Sequence, residues 1–359
     1  MDRILLVGPV SPPIHGQSLA FTRFVESIEG DNGIVINTNL EDKSKIGKMI
    51  YTCKTFIAIF RRTLFTKYDV VYFTCSRSFS GSIKDILLIN LASLKKVRII
   101  NHLHGSDFDE FLHSSPNWYK KVLFYSYKKV DISIVLLDSM KAQFKDFRNL
   151  KVEVVPNFYD RILDIKLAEK EKNTINLVYL SNIIKSKGIF ELVEAFKALS
   201  KKYDDLYLNI AGGFMADEYM SIGEVKKKFF ISIESHDKIN YIGKIFGNNK
   251  VKLLQKSDIF VLPSYYKSEA FPISIIEAMV CENAIITTSY KYLPDIVSKE
   301  NGILVAPSSV ESLADGIQSL LKDRVRLRKI QRYNREEAKD KYSLDNYIKN
   351  LNKLVMKNQ

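Results

Sequence analysis

Two carboxylates frame the segment Glu269-Ala-Phe-Pro-Ile-Ser-Ile-Ile-Glu277. It follows an apolar run, Ile259–Leu262, that reads as a β-strand, and it leads into a helical pattern from Ile273 to Cys281. A carboxylate just beyond the carboxyl end of a strand and ahead of a helix N-terminus lies where open α/β sheets bind ligands, because unpaired N–H groups and the helix dipole attract phosphate there. Pro272 suits the start of that helix, since its missing N–H costs nothing at that position. Glu277 follows about two turns later beside Ala278, and a carboxylate accepting from both hydroxyls of a ribose is a recurrent use of such a residue. Spacing alone equally allows Glu277 to face solvent on a helix whose core side is Ile273, Ile276, Met279 and Val280.

Other segments pair a strand with a chemically useful loop. Leu180-Ser-Asn182-Ile-Ile-Lys185-Ser-Lys187-Gly188 precedes the helical pattern Phe190–Leu199, and a flexible ammonium in a βα loop is a good counter-ion for a leaving diphosphate. A surface Lys-Gly turn is the plainer alternative. His104-Gly105-Ser106-Asp107 follows the strand Val97–Asn101; a neutral imidazole there can hydrogen-bond a sugar hydroxyl, with Asp107 as a second candidate, or the histidine is structural. Gly8-Pro-Val-Ser-Pro-Pro-Ile-His15-Gly16-Gln-Ser18 joins the first strand to the first helix. Neither Walker A spacing nor G-x-G-x-x-G is present, which argues against an NTPase or a dinucleotide dehydrogenase.

These loops need strands to hold them, and the chain supplies short runs rich in β-branched residues alternating with longer helical patterns. The strand candidates of the first half are Ile4–Val7, Gly33–Ile36, Val70–Phe73, Val97–Asn101, Ile132–Leu136 and Val152–Val155. Those of the second are Asn176–Leu180, Tyr207–Ala211, Ile239–Ile242, Ile259–Leu262, Ala284–Thr287 and Gly302–Val305. The pattern predicts an α/β protein with two doubly wound, Rossmann-like domains. The charged stretch Arg161–Thr174 reads as an exposed connection, with the boundary near Glu171: residues 1–170, then 171–340, then a C-terminal helix over 341–359 that returns to the first domain.

With 359 residues, 46% hydrophobic and 26% charged, the composition is globular and excludes a disordered or collagen-like chain. The net charge of +13 points to an anionic partner: a phosphorylated small molecule, acidic lipid or nucleic acid. No nucleic-acid-binding module is recognisable, and the aromatic residues form no stacking platform. Cys53, Cys75 and Cys281 are scattered and form no metal-ligand spacing with the five histidines, as expected in a reducing compartment. Ile4–Val7 is too short for a signal peptide, and no run approaches the roughly 18 apolar residues of a membrane span.

The Glu269…Glu277 segment resembles the E-x7-E motif of retaining nucleotide-sugar glycosyltransferases of family 4. The Leu180–Gly188 segment resembles that family's G-R-L-x-x-x-K-G, His104-Gly105 its H-G, Gly8–Ser18 its N-terminal glycine loop, and Pro156-Asn157-Phe158-Tyr159-Asp160 its P-N-G-V-D. The resemblance implies the GT-B fold, two Rossmann-like domains facing across a cleft, the first for the acceptor and the second for the donor. It assigns Glu269 to the transferred sugar, Glu277 to the nucleotide ribose, Lys187 to the donor pyrophosphate and His104 to the sugar. Gly16, Asn182, Ala270, Phe271, Pro272 and Ile273 would complete the donor site, with His15 and Asp107 on the acceptor side. No metal or other cofactor is implied; the nucleotide-sugar, a UDP-sugar by default, is a substrate. The implied activity is retaining transfer to a glycan hydroxyl in the synthesis of a bacterial surface polysaccharide such as capsule, O-antigen or exopolysaccharide. A non-catalytic nucleotide-sugar-binding module is the alternative. The chain departs from the pattern at Asn182, where the family often has arginine, at Glu282-Asn283-Ala284 in place of glycine-x-proline, and at Ser289–Asp295, which lacks paired glycines.

Between Lys43 and Lys67 basic residues occur without acidic ones, and Ile46, Met49, Ile50, Cys53, Ile57, Phe60 and Leu64 recur at helical spacing. Trp118-Tyr-Lys-Lys to Tyr127-Lys-Lys is a second basic-aromatic segment. An amphipathic basic helix can lie on anionic lipid, which would place a cytoplasmic protein peripherally on the inner face of the plasma membrane, near a lipid-linked acceptor. The same helix could instead pack on the first sheet with a basic solvent face.

Overall fold

The computed structural model describes residues 2–28, 30–40, 44–167, 170, 173–234 and 236–356. It divides into two compact units, Met1–Asn157 with Asp345–Gln359, and Phe158–Leu344.

The first unit runs β1 (Ile4–Gly8), α1 (Gly16–Glu26), β2 (Gly33–Asn37), α2 (Lys45–Phe65), β3 (Val70–Thr74), α3 (Phe79–Ser93), β4 (Arg98–His102), α4 (Phe108–Ser114), α5 (Asn117–Tyr127), β5 (Ile132–Val135) and β6 (Lys151–Val154). The second runs β7 (Ile175–Leu180), α6 (Ile189–Ser200), β8 (Leu206–Ala211), α7 (Ile222–Ile233), β9 (Ile239–Gly243), α8 (Gly247–Lys256), β10 (Ile259–Leu262), α9 (Ile273–Val280), β11 (Ala284–Thr288), β12 (Gly302–Val305), α10 (Val310–Lys322) and α11 (Arg324–Lys341). A last helix, α12 (Leu344–Val355), carries the chain back into the first unit, where the Tyr347 hydroxyl donates to the Ala20 carbonyl at 3.3 Å.

Both sheets are six-stranded, in the orders β2-β1-β3-β4-β5-β6 and β12-β11-β10-β7-β8-β9, and every pairing is parallel. The central strands are sealed: Ile4–Val7, Val70–Phe73 and Ile259–Leu262 are buried throughout, which explains their continuous apolar runs. Strand order reverses between β1 and β3 in one sheet and between β7 and β10 in the other. The loops leaving those strands therefore open at the switch points where doubly wound sheets take ligands.

The charged segment over 161–174 is largely exposed among its described residues, but it is anchored to the second unit at a few points. Leu163 is buried, Arg335 donates to the Ile165 carbonyl at 3.0 Å, and the Lys170 ammonium donates to the carbonyls of Ser257 and Glu282, each at 2.5 Å. The second unit thus begins at Phe158; Glu171, the expected boundary, lies outside the described residues. Burial pushes the Lys170 ammonium down to about 8, against Asp258 and Glu282, which favour its charged form. The charged run around it hid this role, because a lysine bonding two carbonyls reads in sequence as one more solvated charge.

Candidate active site

In the second unit the β7–α6 loop ends in a 3-10 turn, Lys185–Lys187, capped by Gly188. Gly188 has φ 74°, and a Cβ there would lie 2.2 Å from the Pro263 carbonyl oxygen. Only glycine lets this turn press against the start of the β10–α9 loop. The contact is reinforced by the Tyr265 amide, which donates to the Ser186 carbonyl at 2.7 Å, while the Ser186 amide ties the turn to the β8–α7 loop by donating to Asp217 at 2.7 Å. Asn182 is exposed, and its carbonyl accepts from the Tyr179 hydroxyl at 2.8 Å.

This docking brings Lys187 onto Glu269. The two form an ion pair with side chains 12% and 7% exposed, the Ser264 hydroxyl donates to the same carboxylate at 2.6 Å, and the ammonium lies 5.0 Å from the Tyr266 ring centre. Ala270, Phe271 and Ile273 are buried, and the Phe271 ring packs edge-on against Tyr342 at 5.4 Å. Pro272 is the residue before α9 rather than its first helical position, with φ −61° and ψ 120°.

Glu277 does not face solvent. It is 4% exposed on a helix in which Ile273, Ile275, Ile276, Ala278, Met279 and Val280 are also buried, and it pairs with Lys250 of α8. Burial raises its carboxyl above the ordinary range, Lys250 opposes that shift, and Asp160 adds to it. Near the places where the resembled pattern has glycines, two other residues adopt a left-handed backbone. Glu282 adopts φ 57° after α9, and the buried Asn283 closes that helix end by donating to Leu254 at 2.9 Å and Ala278 at 3.0 Å. Lys291 adopts φ 46° in the next loop.

In the first unit His15 caps α1: its Nδ1 accepts from the Ser18 amide at 3.2 Å, while the Ser18 hydroxyl accepts from the His15 amide at 3.0 Å. Gly16 opens the helix and is exposed. His104 follows β4, its ring 4.0 Å from that of His102, with neither ring nitrogen hydrogen-bonded. Burial, then Arg77 and His15, push its imidazole down to about 3, so it is neutral at ordinary pH. Asp107 is paired with Arg77, whose guanidinium crosses Gly105 so closely that a Cβ there would fall 2.0 Å from Nη1.

Sequence reading missed Arg77, Lys250 and the buried contact of the Tyr72 hydroxyl with His102 Nδ1 at 2.7 Å. Each lies on a different element from its partner, with no local spacing to mark it. Among the described residues, Asp109, His113 and Asp146 form the one group with metal-ligand geometry. Lys145 already lies 3.0 Å from Asp109, and His113 lies 3.1 and 3.3 Å from the two carboxylates, so the group reads as an ion-pair cluster.

Two parallel doubly wound units make the GT-B fold, and the second carries the paired Lys187–Glu269 and Lys250–Glu277. Residues 160–338 match the family model for glycosyl transferases group 1, and the chain belongs to that family of transferase enzymes. It is 27% identical over 321 residues to an uncharacterized glycosyltransferase of Methanocaldococcus jannaschii, covering 82% of this chain and 79% of that one. It is 26% identical over 183 residues to the capsular polysaccharide biosynthesis glycosyltransferase CapM of Staphylococcus aureus, covering 50% of this chain and 46% of the relative. Among solved structures, Anabaena HepE in complex with UDP superposes with a TM-score of 0.72 at 15% identity, over 98% of this chain and 99% of that one, a likeness of fold.

Proposed function

We propose that the protein is a retaining glycosyltransferase that moves a sugar from a UDP-sugar to a hydroxyl of a glycan acceptor, lipid-linked, in bacterial surface-polysaccharide synthesis. The observation that carries this reading is the joining of Lys187 to Glu269 by two loops that leave adjacent strands at a switch point, with Glu277 buried two turns further on. Lys187 and the N-terminus of α9 receive the charge of the departing diphosphate, Glu269 contacts the sugar and Glu277 the ribose. The bond from the anomeric carbon to the diphosphate breaks as the acceptor oxygen attacks from the same face, and the acceptor proton passes to the leaving group. Positioning and charge stabilisation supply the catalysis, and His104, neutral and short of partners, takes a sugar hydroxyl. The polysaccharide context is supported by the CapM relative, and the nucleotide by the UDP bound to HepE.

Peripheral membrane attachment belongs to the same reading. The apolar stripe of α2 is the outward one: Ile46, Met49, Ile50, Ile57, Phe60 and Phe65 are exposed, while the helix packs through Thr55, Ile59 and Thr63. Lys48, Lys54, Arg61 and Arg62 share that outer surface; Lys43 lies outside the described residues. Helix α3 packs against both α2 and α5, and α5 exposes Trp118, Val122, Tyr125 and Lys121. Among the described residues no helix is long and apolar enough to cross a membrane.

A thermal-shift panel of UDP, GDP, ADP, CMP and their sugar conjugates, on the wild type and Glu277→Ala, tests the donor assignment. A rise in melting temperature with uridine nucleotides, abolished by the substitution, is expected. A rise confined to another base would replace the donor, and no rise with any would overturn the reading.

A further inference from the structure

The buried Glu277 carboxylate has a cationic partner that the proposed function leaves without a task. Lys250, in α8, reaches α9 and pairs with Oε1 of Glu277, with side chains 19% and 5% exposed. A carboxylate so removed from water is costly to keep charged unless a cation is held against it. The other charged groups around it do not serve. Asp160 is a like charge, and the Cys281 thiol, one turn further along α9, is pushed up to about 12 by burial. Lys170 donates to the carbonyls of Ser257 and Glu282, and Arg335 to those of Val280 and Ile165, at 2.6 and 3.0 Å.

We propose that Lys250 is a positioning residue for the donor, fixing Glu277 as a charged and aimed acceptor for the two hydroxyls of the nucleotide ribose. This rests on the reading of Glu277 as the ribose ligand. An ionised carboxylate offers about four lone-pair directions, so one oxygen can hold the ammonium while capacity remains for a vicinal diol. Protonation turns one acceptor into a donor that the diol, itself presenting two donors, matches less well. Lys250 therefore keeps ribose recognition independent of pH across the neutral range, and without it burial and Asp160 govern the protonation of Glu277.

The experiment titrates UDP and 2′-deoxy-UDP by calorimetry from pH 6.0 to 8.5 against the wild-type chain, Lys250→Met, Lys250→Gln, Lys250→Arg and Glu277→Gln. Wild type and Lys250→Arg should share one pH profile for UDP, set by the ligand's own terminal phosphate, which titrates at about 6, and should hold a constant preference over the deoxy form. Between pH 8.5 and 6.0 Lys250→Met should lose about tenfold more UDP affinity than wild type does, and lose its ribose preference at the acid end only. Lys250→Gln, which keeps a hydrogen bond without the charge, should do the same and carries the test if the methionine variant does not fold. Glu277→Gln should bind weakly at every pH. Parallel pH profiles in wild type and both neutral variants would overturn the role of Lys250 while leaving the ribose reading intact. Unchanged UDP affinity in Glu277→Gln would overturn the ribose reading and this role with it.

Discussion

Lys187 and Glu269, 82 positions apart in the chain, are each other's ion-pair partner, and the proposed function assigns to them the two sides of the donor bond that breaks, the diphosphate and the sugar. A diphosphate taking the ammonium competes with the carboxylate that now holds it. Both groups are largely buried, so each also keeps the other from being a lone charge in a poorly hydrated place.

Lys187→Ala should lower kcat/KM with the true substrates by a factor of about 10 to 150, corresponding to roughly 1.5–3 kcal/mol for a hydrogen bond to a charged group. It should also lower stability by stranding Glu269, and the double variant Lys187→Met/Glu269→Gln should recover part of that loss in a denaturant-unfolding cycle. Unchanged turnover in the single variant would remove Lys187 from the reaction.

Gly188→Ala places a methyl group 2.2 Å from a backbone oxygen at φ 74°, whereas Gly247→Ala, at φ 55°, meets nothing within 4 Å. Thermal unfolding should therefore show Gly247→Ala losing about 1 kcal/mol from backbone strain and Gly188→Ala clearly more. Nucleotide affinity should fall only for Gly188→Ala, because the displaced turn carries Lys187.

The His104 imidazole is held at about 3, and the buried His102 also lies well below its ordinary value. Below pH 6.5 the unfolded chain binds protons that the folded chain does not, so stability is fully present above 6.5 and is lost as pH falls toward 3. Each histidine steepens that loss by up to about 1.4 kcal/mol per pH unit. Urea unfolding of His104→Gln should show a shallower acid slope than wild type. An imidazole of His104 titrating near 6.5 by NMR would refute the assignment.

Co-sedimentation with vesicles containing anionic phosphatidylglycerol at low salt should capture the wild-type chain, and 0.5 M salt should weaken capture by screening. Ile57→Glu/Phe60→Glu alters only exposed positions of α2 and should abolish capture without lowering the melting temperature. Equal capture by neutral phosphatidylcholine, or none by either vesicle, would remove anionic lipid as the partner.

The strands were legible because they are short runs rich in β-branched residues, β1, β3, β5, β10 and β11 sealed throughout, whose lengths differ from the helical segments around them. The loops bearing Lys187, Glu269 and His104 were legible because each directly follows a strand. What stayed hidden were choices of partner over long separations: Arg77 with Asp107, Lys250 with Glu277, Tyr72 with His102. The helical period of α2 was readable, but which side meets the sheet was not, since the side that packs carries two threonines around Ile59. Glu282 and Lys291 show why glycine signatures are an incomplete guide: a left-handed backbone can be held by its surroundings, as Asn283 does for the end of α9.

The first unit is assembled from two stretches of chain, with all of Phe158–Leu344 inserted between them. Its Tyr347, fully buried among Tyr72, His102 and Ala20, arrives only after the whole second unit has been synthesised. During translation the first unit must wait, incomplete, while the second can finish folding, so the half that began first closes last.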